Sequence, residues 1–175
     1  MATDGRILTD EMVEAIRAYF PRYPTRRAVT LPALHVVHDR LRHVPLRAVV
    51  EIAELLGVAP AEIQDTLTFY GFFKQESPHG LTRAWVCRSI SCALRGGEEL
   101  MEHMCRRARV RPGQTTTDGK LTLEEAECLG ACDFAPCVLA GETLHKNVTP
   151  DMADALLKQC GVTLRDVNTR TTSDN

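Results

Sequence analysis

The placement of cysteine constrains this chain more than any other feature. All seven cysteines, Cys87, Cys92, Cys105, Cys128, Cys132, Cys137 and Cys160, lie after residue 86. An odd number argues against a disulfide framework, and the opening residues Met1 to Arg6 carry no apolar signal-peptide core. The expected address is therefore intracellular and reducing. There, clustered thiols serve more often as metal ligands or redox groups than as cross-links. The chain reads as a cysteine-free half followed by a cysteine-bearing half.

The cysteine-free half has the periodicity of short amphipathic helices. Thr9 is a candidate cap, followed by Met12, Val13, Ile16, Tyr19 and Phe20 at helical spacing, with Pro21 as the stop. A second helix is expected from Leu31-Pro32, with Leu34, Val37 and Leu41 on its apolar stripe. A third opens near Pro45 and ends at Gly57, and a fourth starts at Pro60. No one of these can bury its apolar face alone, so residues 1–80 are expected to form a small helical bundle. His35 and His38 read as residues on a helix flank rather than a metal pair, because no second ligand pair accompanies them. His43 is a candidate for a helix end. Phe69, Tyr70, Phe72 and Phe73 read as packing, and Lys74 to Gly80 as a linker.

In residues 81–161, Leu81 to Cys87 reads as a strand and Cys92 to Arg107 as a helix. Thr115 to Leu123 reads as a hairpin whose two-residue turn is Asp118-Gly119. Pro136 to His145 reads as a second hairpin turning at Gly141. Pro150 to Gln159 reads as a closing helix capped by Thr149. This order predicts an α/β sandwich of thioredoxin type, and residues 162–175 read as a polar, frayed tail.

Cys87 and Cys92 form C-x4-C where a strand turns into a helix, and Cys128 and Cys132 form C-x3-C. Four thiolates suit a 2Fe-2S cluster and equally a structural zinc. Several features tilt the balance toward iron. Neither loop has the two intervening residues that zinc knuckles favour, and Gly130 allows close backbone approach to sulfur. No C-x2-C-x2-C run supports a four-iron cluster. The plant-type ferredoxin run fails because Arg95 stands where its third cysteine belongs, and there is no C-x-x-C dithiol.

Further motifs sharpen the pattern. They are Leu55-Leu56-Gly57-Val58, Thr68-Phe69-Tyr70 with Phe73, Val86-Cys87, Ser91-Cys92 and Leu94-Arg95-Gly96-Gly97. They continue with Thr117-Asp118-Gly119-Lys120, Glu127-Cys128-Leu129-Gly130-Ala131-Cys132 and Ala135-Pro136. With them, the sequence from about Leu31 to Gln159 resembles the small thioredoxin-like 2Fe-2S ferredoxin subunits (E-type) of bacterial NADH:quinone oxidoreductase, respiratory complex I. The resemblance implies one 2Fe-2S cluster held by Cys87, Cys92, Cys128 and Cys132. It also implies electron exchange with the flavin of a partner NADH-binding subunit, and a cytoplasmic place peripheral to the inner membrane through the complex.

The sequence departs from the family at Cys137, where an apolar residue is expected; it reads as a small buried strand residue. Cys105 and Cys160 read as spectators, and Pro136 stands where thioredoxin-like folds often carry a cis proline. Arg83, Arg88 and Arg95 lie near the cysteine loops in sequence, at least some of them as solvated surface. Glu124, Glu125 and Glu127 read as a solvated face, and the basic run Arg106, Arg107, Arg109 and Arg111 as favouring a helix C-terminus.

The remaining features exclude other classes. A formal net charge of −2 gives no global field for nucleic acid, and charged residues cut every long apolar stretch, so no membrane insertion is expected. No G-x-G-x-x-G is present, so hydride chemistry is expected on another chain. Two alternatives stand beside complex I. One is the matching subunit of a soluble NAD-linked formate dehydrogenase or hydrogenase. The other is a zinc-stabilised interaction module without redox function.

Overall fold

The computed structural model describes residues 5–164. The chain divides between Pro78 and His79 into two compact units.

The first unit is helical. Helix α1 spans Asp10–Arg17, α2 Thr30–Leu41, α3 Leu46–Leu56 and α4 Pro60–Phe69. Thr9 caps α1: its hydroxyl accepts the Met12 N–H at 3.2 Å. The helix stops at Arg17, before Tyr19 and Phe20, and Pro21 lies within a separate 3-10 turn, Phe20–Arg22. Helix α2 touches α1, α3 and α4. The core is formed by Ile16, Leu34, Val37, Ile52 and Ile63, all fully buried. The segment before α1 is pinned by Glu51 of α3, whose carboxylate accepts the Ile7 N–H at 2.9 Å and the Leu8 N–H at 2.8 Å. His38 is buried with its ring 4.8 Å from that of Phe72, and His35 packs 5.0 Å from Phe73. The pair thus serves packing. His43 hydrogen-bonds the Leu41 carbonyl at the end of α2. Of the four clustered aromatics only Phe73 is buried; Phe69, Tyr70 and Phe72 remain exposed.

The second unit is a mixed four-stranded sheet with helices. Strand β1 spans Thr82–Cys87, β2 Leu121–Ala126, β3 Val138–Ala140 and β4 Thr143–His145, in the order β2-β1-β3-β4. Strands β1 and β2 run parallel, with Cys87 opposite Ala126, whereas β3 is antiparallel to β1 and to β4. A parallel pair needs a crossover. It runs through a short α5, Ile90–Ala93, and then mainly through α6, Gly97–Ala108, which packs against β1 and against α7, Pro150–Gln159. Thr149 caps α7 through the Met152 N–H. The core of this unit includes Val86, Met104, Leu121, Leu123, Val138 and Leu157. Helices, strands and their order give the α/β class expected from the sequence.

Several expectations are corrected. The helix expected from Cys92 to Arg107 is two pieces, α5 and α6. Gly96, with a left-handed φ of 87°, breaks the run between them. The turn after Thr115 is not a two-residue turn centred on Asp118-Gly119. The Gly119 N–H bonds the Thr116 carbonyl, only Gly119 takes a left-handed φ, and the strand contact before it is one bridge, Thr115 to Thr122. Glu124 is not on a solvated face, and among the arginines near the cysteine loops Arg83 is one that is not surface. Both are buried, joined by a 2.7 Å ion pair, with the Arg83 guanidinium 4.5 Å from the Trp85 ring centre. A sequence shows the charges but not the strand register that buries them together. Val162 lies buried in the sheet core. Leu164 packs against the same core, and residues 165–175 of the expected polar tail lie outside the described residues.

Candidate metal centre

The carboxyl ends of the adjacent parallel strands β1 and β2 put two cysteine loops side by side. Cys87 is the last residue of β1, and Cys128 follows two residues after β2 ends at Ala126. Ladder-like bonding continues past Cys87, because the Arg88 N–H bonds the Ala126 carbonyl at 2.9 Å. The chain leaving β1 turns through α5, which carries Cys92. The chain leaving β2 turns through Gly130 into a 3-10 turn, Cys132–Phe134, and α5 touches that turn.

The four thiols fall into an inner and an outer pair. Cys87 and Cys92 are buried at 3% and 2% exposure in a small apolar cluster with Ala135 and Cys137, whereas Cys128 and Cys132 are exposed. The Cys128 and Cys132 sulfurs are 3.7 Å apart. Two thiolates about 2.3 Å from one tetrahedral ion lie about 3.8 Å from each other, so this pair has the spacing of two ligands on a common metal. Links also cross between the pairs: the Cys87 thiol donates to the Glu127 carbonyl at 3.1 Å, and Ser89 and Ser91 of the first loop interact with Cys128 and Cys132. Among the described residues, no group of three or more His, Cys, Asp and Glu side chains is placed to hold one metal ion. All seven cysteines are free thiols.

The electrostatics differ between the pairs. The Gly130 N–H, 3.4 Å from the Cys128 sulfur, lowers the Cys128 pKa, with Cys132 adding to the effect. Cys132 is raised by its neighbour Cys128. Burial, followed by the hydrogen bond with Cys87, pushes the Cys92 thiol up to about 11. A thiolate at Cys92 thus needs a compensating cation more than one at Cys128 does.

Backbone packing fixes the first loop. A Cβ on Gly97 would stand 2.8 Å from the Cys92 carbonyl oxygen and 3.1 Å from that of Cys87, so only glycine fits where α6 begins. Cys137 is buried, as the sequence suggested, and its thiol faces the Phe134 carbonyl at 3.1 Å. The Ala135–Pro136 bond is cis. Cys105 and Cys160 lie apart, packed against the sheet core. Sequence reasoning gave no contact with a thiol to Ser89, Ser91 or the Glu127 carbonyl. Their position between or beside cysteines was the only signal.

Comparison with known proteins places this arrangement. An E-type NADH-quinone oxidoreductase subunit from Rhizobium meliloti (strain 1021) is 39% identical over 147 residues, covering 84% of this chain and 87% of that one. The E-type NADH-quinone oxidoreductase subunit from Escherichia coli (strain K12) is 33% identical, covering 83% and 87% respectively. A crystal structure of an NAD+-reducing NiFe-hydrogenase in the H2-reduced state aligns with a TM-score of 0.66 and 25% identity over 79% of this chain; the chain spans only 23% of that protein. The family model of the thioredoxin-like 2Fe-2S ferredoxins matches residues 16–161, which include α2 to α4 and both cysteine loops, and the chain belongs to that family.

Proposed function

We propose that Cys87, Cys92, Cys128 and Cys132 hold one 2Fe-2S cluster, and that this chain is the electron-transfer subunit of an NADH:quinone oxidoreductase. The carrying observation is the meeting of two thiol pairs at the ends of β1 and β2, with 3.7 Å between the outer sulfurs. Similarity to NADH-quinone oxidoreductase subunits over 87% of their length supports the choice of complex. The partner is the flavin- and NADH-binding subunit, since the sequence of this chain has no nucleotide fingerprint of its own.

When bound, the cluster supplies a one-electron redox centre. The surrounding residues define its setting. Cys87 and Cys92 hold the inner side away from water, and the Gly130 N–H donates toward the Cys128 sulfur. Such donors favour the added negative charge of the reduced state. Ile90, Leu94 and Phe134, large apolar side chains left exposed on the same two loops, suit contact with a protein partner. Among the described residues no helix is long and apolar enough to cross a membrane. Attachment to the membrane therefore comes through the rest of the complex in this reading.

The test is anaerobic purification with assay of iron, acid-labile sulfide and zinc, followed by electron paramagnetic resonance after reduction. Two irons and two sulfides per chain are expected. A colourless chain holding one zinc refutes the cluster. The hydrogenase likeness favours a second reading, the corresponding part of an NAD-linked hydrogenase. The chain that co-purifies, a quinone-reducing complex or a hydrogenase, separates the two.

A further inference from the structure

Arg88 and Glu127 flank the two cysteine loops on their solvent side. Arg88 directly follows Cys87, and Glu127 directly precedes Cys128. The parallel register that sets Cys87 opposite Ala126 brings these next residues side by side. The guanidinium engages one carboxylate oxygen of Glu127 through two nitrogens, with Nε at 3.1 Å, and reaches Glu125 at 3.7 Å. Beneath this bridge the Arg88 N–H bonds the Ala126 carbonyl and the Cys87 thiol donates to the Glu127 carbonyl. Side chains and backbone therefore join the same two points.

We propose that the Arg88–Glu127 ion pair is a positioning staple that holds the first and second cysteine loops at cluster-binding separation. The inference rests on the four-cysteine reading above. An exposed ion pair contributes little to global stability, because solvent screens it and two long side chains must be ordered. Its place gives it leverage that its exposure does not. Each partner adjoins one cysteine in sequence, on a different loop, so the pair acts on the gap between loops rather than on the fold. It also sets one positive and one negative charge beside a centre that gains negative charge on reduction.

Those two roles have different signatures. As a staple, the pair works only when whole, so losing either residue has the same consequence. As charges, the residues act in opposite directions. The experiment uses the full-length, iron-loaded chain and its Arg88→Ala, Glu127→Ala, double Arg88→Ala/Glu127→Ala and Arg88→Lys variants. Loss of the visible absorption is followed in excess iron chelator, and the midpoint potential is titrated.

Both single alanine variants are expected to lose iron about two- to five-fold faster than the parent. The double variant is expected to match the singles rather than their product, and Arg88→Lys to recover part of the difference. The potential is expected to fall in Arg88→Ala and rise in Glu127→Ala. Unchanged loss rates, multiplying effects in the double variant, or a potential insensitive to both substitutions would overturn the proposal. A parent chain that takes up no iron would instead overturn the four-cysteine reading and remove the staple with it.

Discussion

The α-carbon of Gly97 lies against the carbonyl of Cys92, so closely that a methyl group added there would sit 2.8 Å from the oxygen and 2.9 Å from the carbon. Neither neighbour is a flexible side chain that can swing aside. Gly97→Ala must therefore displace the start of α6 or the turn carrying Cys92. The expected cost is about 1–3 kcal/mol, seen as a lower Tm, together with reduced iron content. A variant with parental Tm and parental iron would show that the loop yields freely.

The cysteines divide into those at the loops and those packed elsewhere. Cys92→Ser and Cys128→Ser should lose or cripple the cluster, while Cys105→Ala and Cys160→Ala, whose thiols rest on the sheet core, should retain it. Cys137→Ala should also retain it: that thiol donates to the Ala131 and Phe134 carbonyls and touches Cys92 only as a hydrogen-bond neighbour in this reading. Iron analysis of each purified variant decides. Retention in Cys128→Ser with loss in Cys105→Ala would reverse the assignment.

Asp154 joins α7 to α6: it accepts from Arg107 at 2.9 Å and meets His103 at 2.8 Å. Arg107 is the main reason its pKa lies below the ordinary carboxylate value, with His103 adding to it against partial burial. A depressed folded-state pKa means stability present above the unfolded value of about 3.9 and lost as pH falls through the folded one. Asp154→Asn should therefore be less stable than the parent by about 1–2 kcal/mol at neutral pH. The gap should close as the solution is taken below about pH 4, toward and past the folded-state value. Urea melts at several pH values measure it; a gap independent of pH would refute the ionic origin.

Glu51 holds the Ile7 and Leu8 amides from forty-four and forty-three residues away, respectively. Removing the carboxylate in Glu51→Ala leaves those donors to water, at an expected cost of about 1–3 kcal/mol. The local signature is faster hydrogen exchange at the Ile7 and Leu8 amides. Unchanged protection there would show that Glu51 is not the clamp.

Much of the fold was legible because its punctuation is chemical. Thr9 and Thr149 carry their capping role in the side chain, and Pro45, Pro60 and Gly57 mark helix ends through backbone restriction or freedom. The cysteine spacing located both loops for the same local reason. What escaped depends on neighbours distant in sequence. Two glycines stand in a run that looks helical, but the left-handed φ of Gly96 and the closeness of Gly97 to the Cys92 and Cys87 carbonyls are seen only in the fold. Charge alone assigned Glu124 to the surface, because nothing local reveals that β1 supplies Arg83 beside it. Ser89 was passed over and Ser91 entered only as part of a motif, because a hydroxyl in a loop has no meaning until the facing thiol is known.

The enclosed Arg83–Glu124 pair carries a consequence for descent. Replacing either member alone takes its ion partner from a charge enclosed in the unit, at a cost of about 3–5 kcal/mol, comparable to what a small unit can spare. Exchange of both for apolar residues is far milder. Lineages of this protein should then inherit the two positions as one character, kept together or surrendered together, with single-member intermediates rare.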